Sequence, residues 1–244
     1  MNYQRKAKSY NQALSPFLKN KLHRLHDYRF KESDRLMIES IRTKLKLDNT
    51  VLKITDHGVG SKKLGNERTV RSIFKVSSSN GRYGELLTAL THSNEAKSIL
   101  EFGTSLGIGT NYLAFGAPKS TITTIEGCPE TLGYANHFLP KNTNAQCSSF
   151  NSFLEKLSDE KFDFVFLDGH HDGHATRDYF NSLKPYLTEN ACIVFDDIRW
   201  SEDMLHAWEE IIKQDGIKAS VDCFRMGIVW LGESKSDEHF VLRF

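Results

Sequence analysis

From Ser98 onward the chain alternates short apolar runs with helical patterns, and this rhythm restricts the fold more than any other feature of its 244 residues. Strand-like runs cover Ser98 to Gly103, Thr121 to Glu126, Ala145 to Ser148, Phe162 to Asp168 and Ala191 to Asp196. Helical patterns fall between them at Thr110 to Gly116, Pro129 to Phe138, Phe150 to Leu157 and Thr176 to Tyr186, and a last one covers Glu202 to Gln214. Strands separated by whole helices need crossover connections, so the sheet is expected to be mainly parallel, with helices on both faces. The end breaks this rhythm. Ala219 to Phe224 and Met226 to Leu231 are separated by Arg225 alone, too tight a link for anything but an antiparallel pair. The expected fold is α/β, a doubly wound, mainly parallel sheet of seven strands that ends in that pair.

Residues 1–96 follow a different plan and are expected to form a helical, basic N-terminal cap or lid on an α/β domain at 97–244. Helical patterns at Ala13 to Leu25, Ser33 to Leu45 and Tyr83 to Leu90 flank a stretch with Gly, Ser and Lys from Thr55 to Asn80. So long a connection reads as a functional lid or as partly disordered. The formal net charge of +1 hides an opposition. Through Lys75 there are 18 Lys and Arg against 7 Asp and Glu; beyond it the counts are 14 and 24. No run reaches the ~18 apolar residues of a membrane span, and the start lacks the apolar core of a signal peptide, so a cytoplasmic protein without a membrane partner is expected. Cys128, Cys147, Cys192 and Cys223 stand singly, as reduced and packed thiols would.

The first motif that carries chemistry lies between a strand and a helix: Glu101-Phe-Gly103-Thr104-Ser105-Leu-Gly107-Ile-Gly109. Its glycines let the backbone turn sharply and approach a ligand, and the following helix offers unpaired N–H groups. A dinucleotide fingerprint would read Gly-x-Gly-x-x-Gly; this loop reads Gly-x-x-x-Gly-x-Gly. At the end of the next strand stands Glu126, followed by Gly127, where a carboxylate can accept both hydroxyls of a ribose. Taken in order, these residues resemble the cofactor-binding half of class I S-adenosylmethionine-dependent methyltransferases, whose Rossmann-like sheet also ends in an antiparallel pair. The resemblance covers roughly Lys97 to Phe244. It implies that Glu101 and the loop of Gly103, Thr104, Ser105, Gly107 and Gly109 hold the methionine and ribose portions, that Glu126 and Gly127 face the ribose, and that Ser149 and Phe150 lie by the adenine.

A second constellation is acidic. Asp168 ends Phe164-Val-Phe-Leu-Asp168, and Asp196 and Asp197 end Ile193-Val-Phe-Asp-Asp197. If these strands are neighbours, their ends lie ~5 Å apart, and three carboxylates so close call for a proton or a cation such as Mg²⁺ or another divalent metal. The alternative is that Asp168 caps a turn and Asp197 the next helix. The pattern resembles the catechol and caffeoyl-CoA O-methyltransferases, which implies Asp168, Asp196 and Asp197 as metal ligands, with Asp197 where those enzymes have Asn. The Lys commonly found three residues after the first Asp is His171 here, a candidate base that would take a proton from an acceptor hydroxyl, with Asp168 beside it. His170 and His174 are read as facing water. Trp200 forms either the wall of a flat pocket or, with Trp208, packing for the last helix.

In the basic half, Gly58 and Gly60 read as hinges and Lys62, Lys63, Arg68 and Arg71 as contacts for an anionic substrate. Three functions compete: O-methylation of a small hydroxylated acceptor with help from a divalent metal, methylation of RNA along a basic surface, or binding of the cofactor without turnover. Nucleic acid is disfavoured because Asp27, Glu32, Asp34 and Glu39 interleave with the positive residues. A homodimer is compatible with all three.

Overall fold

The computed structural model describes residues 14–55, 67–77, 81–233 and 238–242. The N-terminal part contains α1 (Pro16–Asp27), α2 (Glu32–Leu47), β1 (Val51–Lys53), β2 (Glu67–Thr69), α3 (Val70–Ser77) and α4 (Gly81–Ser93). The remainder runs β3 (Ser98–Phe102), α5 (Ile108–Gly116), β4 (Thr121–Glu126), α6 (Pro129–Ala135), β5 (Thr143–Cys147), α7 (Phe150–Leu154), β6 (Phe162–Leu167), α8 (Gly173–Leu183), β7 (Leu187–Phe195), α9 (Glu202–Ile211), β8 (Ile217–Cys223), β9 (Met226–Leu231) and β10 (His239–Val241). Helix starts are chemically marked. The side chains of Ser15, Asp172 and Ser201 accept from the N–H of Leu18, Ala175 and Met204, supplying partners to donors that a first turn leaves open.

The main sheet has the order β10-β8-β9-β7-β6-β3-β4-β5. Every pairing among β3 to β7 is parallel, while β9 runs antiparallel to both β7 and β8. The doubly wound plan and the terminal antiparallel pair are therefore as the sequence indicates, with one correction: among the described residues the sheet has eight strands rather than seven. The addition, β10, lies parallel on β8, and three residues are too few to show an alternating pattern. A second sheet is the antiparallel pair of β1 and β2. Part of the stretch from Thr55 to Asn80 is likewise regular. It holds β2 and α3, the latter burying Val70, Ile73 and Phe74 on one face. Gly58, Gly60, Lys62 and Lys63 lie outside the described residues.

Two apolar layers sandwich the sheet. On one face, α8 and α9 bury Phe180, Leu183, Trp208 and Ile211 together with Phe102, Val165 and Phe195. On the other, α1 to α5 bury Leu18, Ile38, Leu87 and Tyr112 in one continuous cluster with Ile99, Phe166 and Trp230. The N-terminal helices thus share a core with the sheet. Among the described residues, no helix is long and apolar enough to cross a membrane.

Candidate active site

Chain order reverses between β3 and β6: β4 and β5 extend the sheet one way from β3, and β6 and β7 the other. Loops leaving the carboxyl ends of two such strands diverge to opposite faces and leave a crevice. A cleft of about 220 Å³ opens there, lined by Gly103, Ser105, Glu126, Phe150, Asp168 and His170 among others. Gly127 and Ser149 also line it, while Thr104 and Gly109 border an adjoining groove with Ser105 and Asp168.

Backbone geometry sets the floor. Gly103 has φ +100°, and a Cβ there would collide with the Asp168 carbonyl oxygen, so neither the conformation nor the space admits a side chain. Gly107, also left-handed at φ +80°, caps α5 and faces Leu139 without lining the cleft. The Glu126 carboxylate accepts from the N–H of Ser105 at 2.9 Å and of Cys128 at 2.9 Å. These two bonds fix it at the end of β4 on the cleft wall. Phe150 stands opposite, stacked on Phe102 with centroids 4.5 Å apart and planes 6° from parallel.

Glu101 requires a correction. It lies beneath the loop, fully buried, and lines neither cleft nor groove. One carboxyl oxygen accepts from Thr110 Oγ1 at 2.5 Å and Thr124 Oγ1 at 2.7 Å, while the other, facing Gly109, has no hydrogen-bond partner. Burial raises its pKa to about 7, against the opposing pull of the two threonine hydrogen bonds. Glu101 thus supports the loop from below.

The acidic constellation is assembled differently from the expected metal site. Both oxygens of buried Asp196 accept from Arg225, Nε at 3.0 Å and the terminal nitrogen at 2.7 Å. Asp197 Oδ1 lies 3.0 Å from the same Nε, and its other oxygen 3.7 Å from His171 Nδ1. Asp168 reaches the cleft, its carboxyl held well above the ordinary range by burial first and then by the charges of Asp196 and Asp197. No group of three or more His, Cys, Asp or Glu side chains suited to a metal ion occurs among the described residues. The donor set does not fit a divalent ion, because a guanidinium already serves two of its three carboxylates.

The histidines exchange places relative to expectation. His170 lines the cleft, packs edge-on to Phe150 and places Nδ1 2.7 Å from the Tyr179 hydroxyl. His171 stands beside the cleft rather than in its lining, its ring stacked on Trp200 at 5.1 Å. Both have positive φ, +65° and +43°, which turns consecutive side chains to different surroundings. His174 is exposed beside Asp178, as read. The tryptophans divide: Trp200 is 63% exposed while Trp208 is buried against Phe195. Pattern reading also missed Ile54, Thr55 and Ile73, which close the cleft from the N-terminal side. No local signal marks them, since only the fold brings them over the sheet edge. Arg68 and Arg71 line neither cleft nor groove, and Arg71 hydrogen-bonds Asn49 at 3.4 Å.

Residues 100–198, from β3 to just beyond the acidic pair, match the family model described as a methyltransferase domain. It is this stretch that carries the likeness to a methyltransferase domain. Over 93 residues the chain is 32% identical to a Mycobacterium sp. (strain JLS) protein provisionally named an O-methyltransferase; the match spans 35% of this chain and 42% of that curated relative's length. Among solved structures, the O-methyltransferase from Bacillus cereus in complex with SAH superposes with a TM-score of 0.59 at 16% identity, over 87% of this chain and 96% of that one. The SAH-bound Podospora anserina methyltransferase PaMTH1 gives 0.60 at 14%, over 91% and 98%. At such identities the likeness is one of fold. The matched stretch thus contains Gly103, Ser105, Glu126, Gly127, Ser149, Phe150, Asp168 and His170, the named walls of the cleft outside the N-terminal region.

Proposed function

We propose that the protein is an S-adenosylmethionine-dependent methyltransferase acting on the oxygen of a small hydroxylated acceptor. The observation that carries the reading is the coincidence of the methyltransferase domain with a cleft whose wall presents the Glu126 carboxylate, fixed on two backbone N–H groups. The cleft's residues suit the cofactor: Glu126 for the ribose hydroxyls, Phe150 and Ser149 for the adenine, and Gly103 to Ser105 for the methionine portion. When bound, S-adenosylmethionine supplies an electrophilic methyl group.

The chain's own part is to orient the acceptor and remove its proton. His171, half-buried and 3.7 Å from Asp197, is the proposed base, and its stacking partner Trp200 offers an exposed aromatic face for a flat acceptor. The small-molecule reading is favoured over RNA by the N-terminal charges: Arg24 pairs with Glu95, Arg35 with Glu85, and Arg42 with Glu39. The test is transfer of a labelled methyl group to a panel of hydroxylated aromatics and to RNA. Label is expected on oxygen of an aromatic acceptor, with His171→Ala lowering kcat about a hundredfold or more and Trp200→Ala raising KM. Transfer to RNA alone would overturn the acceptor class.

A further inference from the structure

The turn that carries Arg225 is tied down by hydrogen bonds from several sides. Phe224 sits in the left-handed region at φ +71°, a conformation that strains a non-glycine residue and persists only where the surroundings impose it. Here they do. The N–H of Phe224 donates to Asp222 Oδ1 at 2.8 Å, and Asp222 is ion-paired with Arg199, which also donates to the Phe224 carbonyl at 2.7 Å. The Arg225 carbonyl accepts from Ile198 N–H at 2.9 Å, and the Tyr83 ring lies 5.8 Å from the guanidinium, with its hydroxyl bonded to the Cys223 carbonyl. The Arg225 side chain therefore enters the acidic cluster from a fixed base, two-pronged on Asp196 and within 3.0 Å of Asp197.

We propose that Arg225 is the resident cation of the acceptor end of the site, taking the charge-balancing place a divalent metal would hold, so that the protein works without a divalent ion. Two carboxylates that already share the hydrogen bonds of one planar, permanently protonated guanidinium offer little to Mg²⁺, which demands octahedral oxygen geometry and gives up water reluctantly. An ion seated on both Asp196 and Asp197 would compete with Arg225 for their oxygens. The inference rests on the methyltransferase reading only for the name of the reaction, since the cluster is described by its own geometry.

The experiment is titration of Mn²⁺ into the full chain, read by the loss of the free-ion paramagnetic resonance signal, with binding of S-adenosylhomocysteine measured separately by calorimetry. Wild-type protein is expected to leave Mn²⁺ free at millimolar concentrations and to bind S-adenosylhomocysteine equally well with and without chelator. Arg225→Met exposes the carboxylates and is expected to bind Mn²⁺ at least about tenfold more tightly than wild type. Stoichiometric Mn²⁺ in the wild type, lost in Asp197→Asn, would overturn the proposal, as would a folded Arg225→Met protein that still takes none. If Arg225→Met does not fold, the wild-type titration decides alone. Failure to bind S-adenosylhomocysteine would count against the methyltransferase reading and leave the metal result standing.

Discussion

Glu101 is a carboxyl group in surroundings that favour its neutral form, with a pKa near 7 in place of 4.5. Between those values the folded chain holds a proton that the unfolded chain has released. The associated stability is present below about pH 4.5 and declines as pH rises to about 7, by about 3 kcal/mol. Glu101→Gln is expected to remove that slope and to make the protein more stable than wild type above pH 7, as denaturant unfolding at several pH values would show. An unchanged slope would mean that other carboxyls, Asp168 first among them, carry it. Sequence reading found Glu101 by its distance from Gly103 but gave it the wrong neighbours. A residue before a glycine loop can face the ligand or the core, and only the side-chain alternation of β3 decides which. Glu126 was legible because ligands of an open parallel sheet sit beyond the carboxyl ends of its strands. Arg225 was not, since its partners lie 28 and 29 positions back and only strand pairing brings them together.

At the level of elements, β1 is the link that brings the N-terminal region to the cleft. Lys53 N–H donates to Glu130 of α6 at 2.6 Å, and the Tyr134 hydroxyl of α6 donates to Asp48 at 2.5 Å. Ile54 and Thr55 follow directly and line the cleft. Tyr134→Phe removes one tie while preserving the ring, and is expected to cost about 1 kcal/mol of stability and to weaken cofactor binding severalfold. Thermal unfolding and calorimetry check the two effects. A loss of stability with unchanged affinity would separate β1 from the site. The strong elements were legible because they are long or continuously apolar: β6 and the C-terminal half of β7 are buried on both faces and read as unbroken hydrophobic runs. β2, α3 and β10 escaped because they are short or carry charged residues between their buried positions.

For the whole molecule, the opposed charges of the two halves find a partial physical explanation. N-terminal arginines meet acids both within their own helices and on α4 and the loop after it, as Arg35 does with Glu32 and Glu85 and Arg24 with Glu95. Exposed pairs of this kind contribute at most about 1 kcal/mol each, so the apolar cluster shared by α1 to α5 and the sheet is what holds the N-terminal region in place. That arrangement builds a cleft with walls from both parts. The most direct test is calorimetric titration of the intact protein with S-adenosylmethionine and S-adenosylhomocysteine. Single-site binding of both is predicted, weakened at least about tenfold in Glu126→Gln. Absence of binding heat for either ligand, or equal affinity in Glu126→Gln, would contradict it.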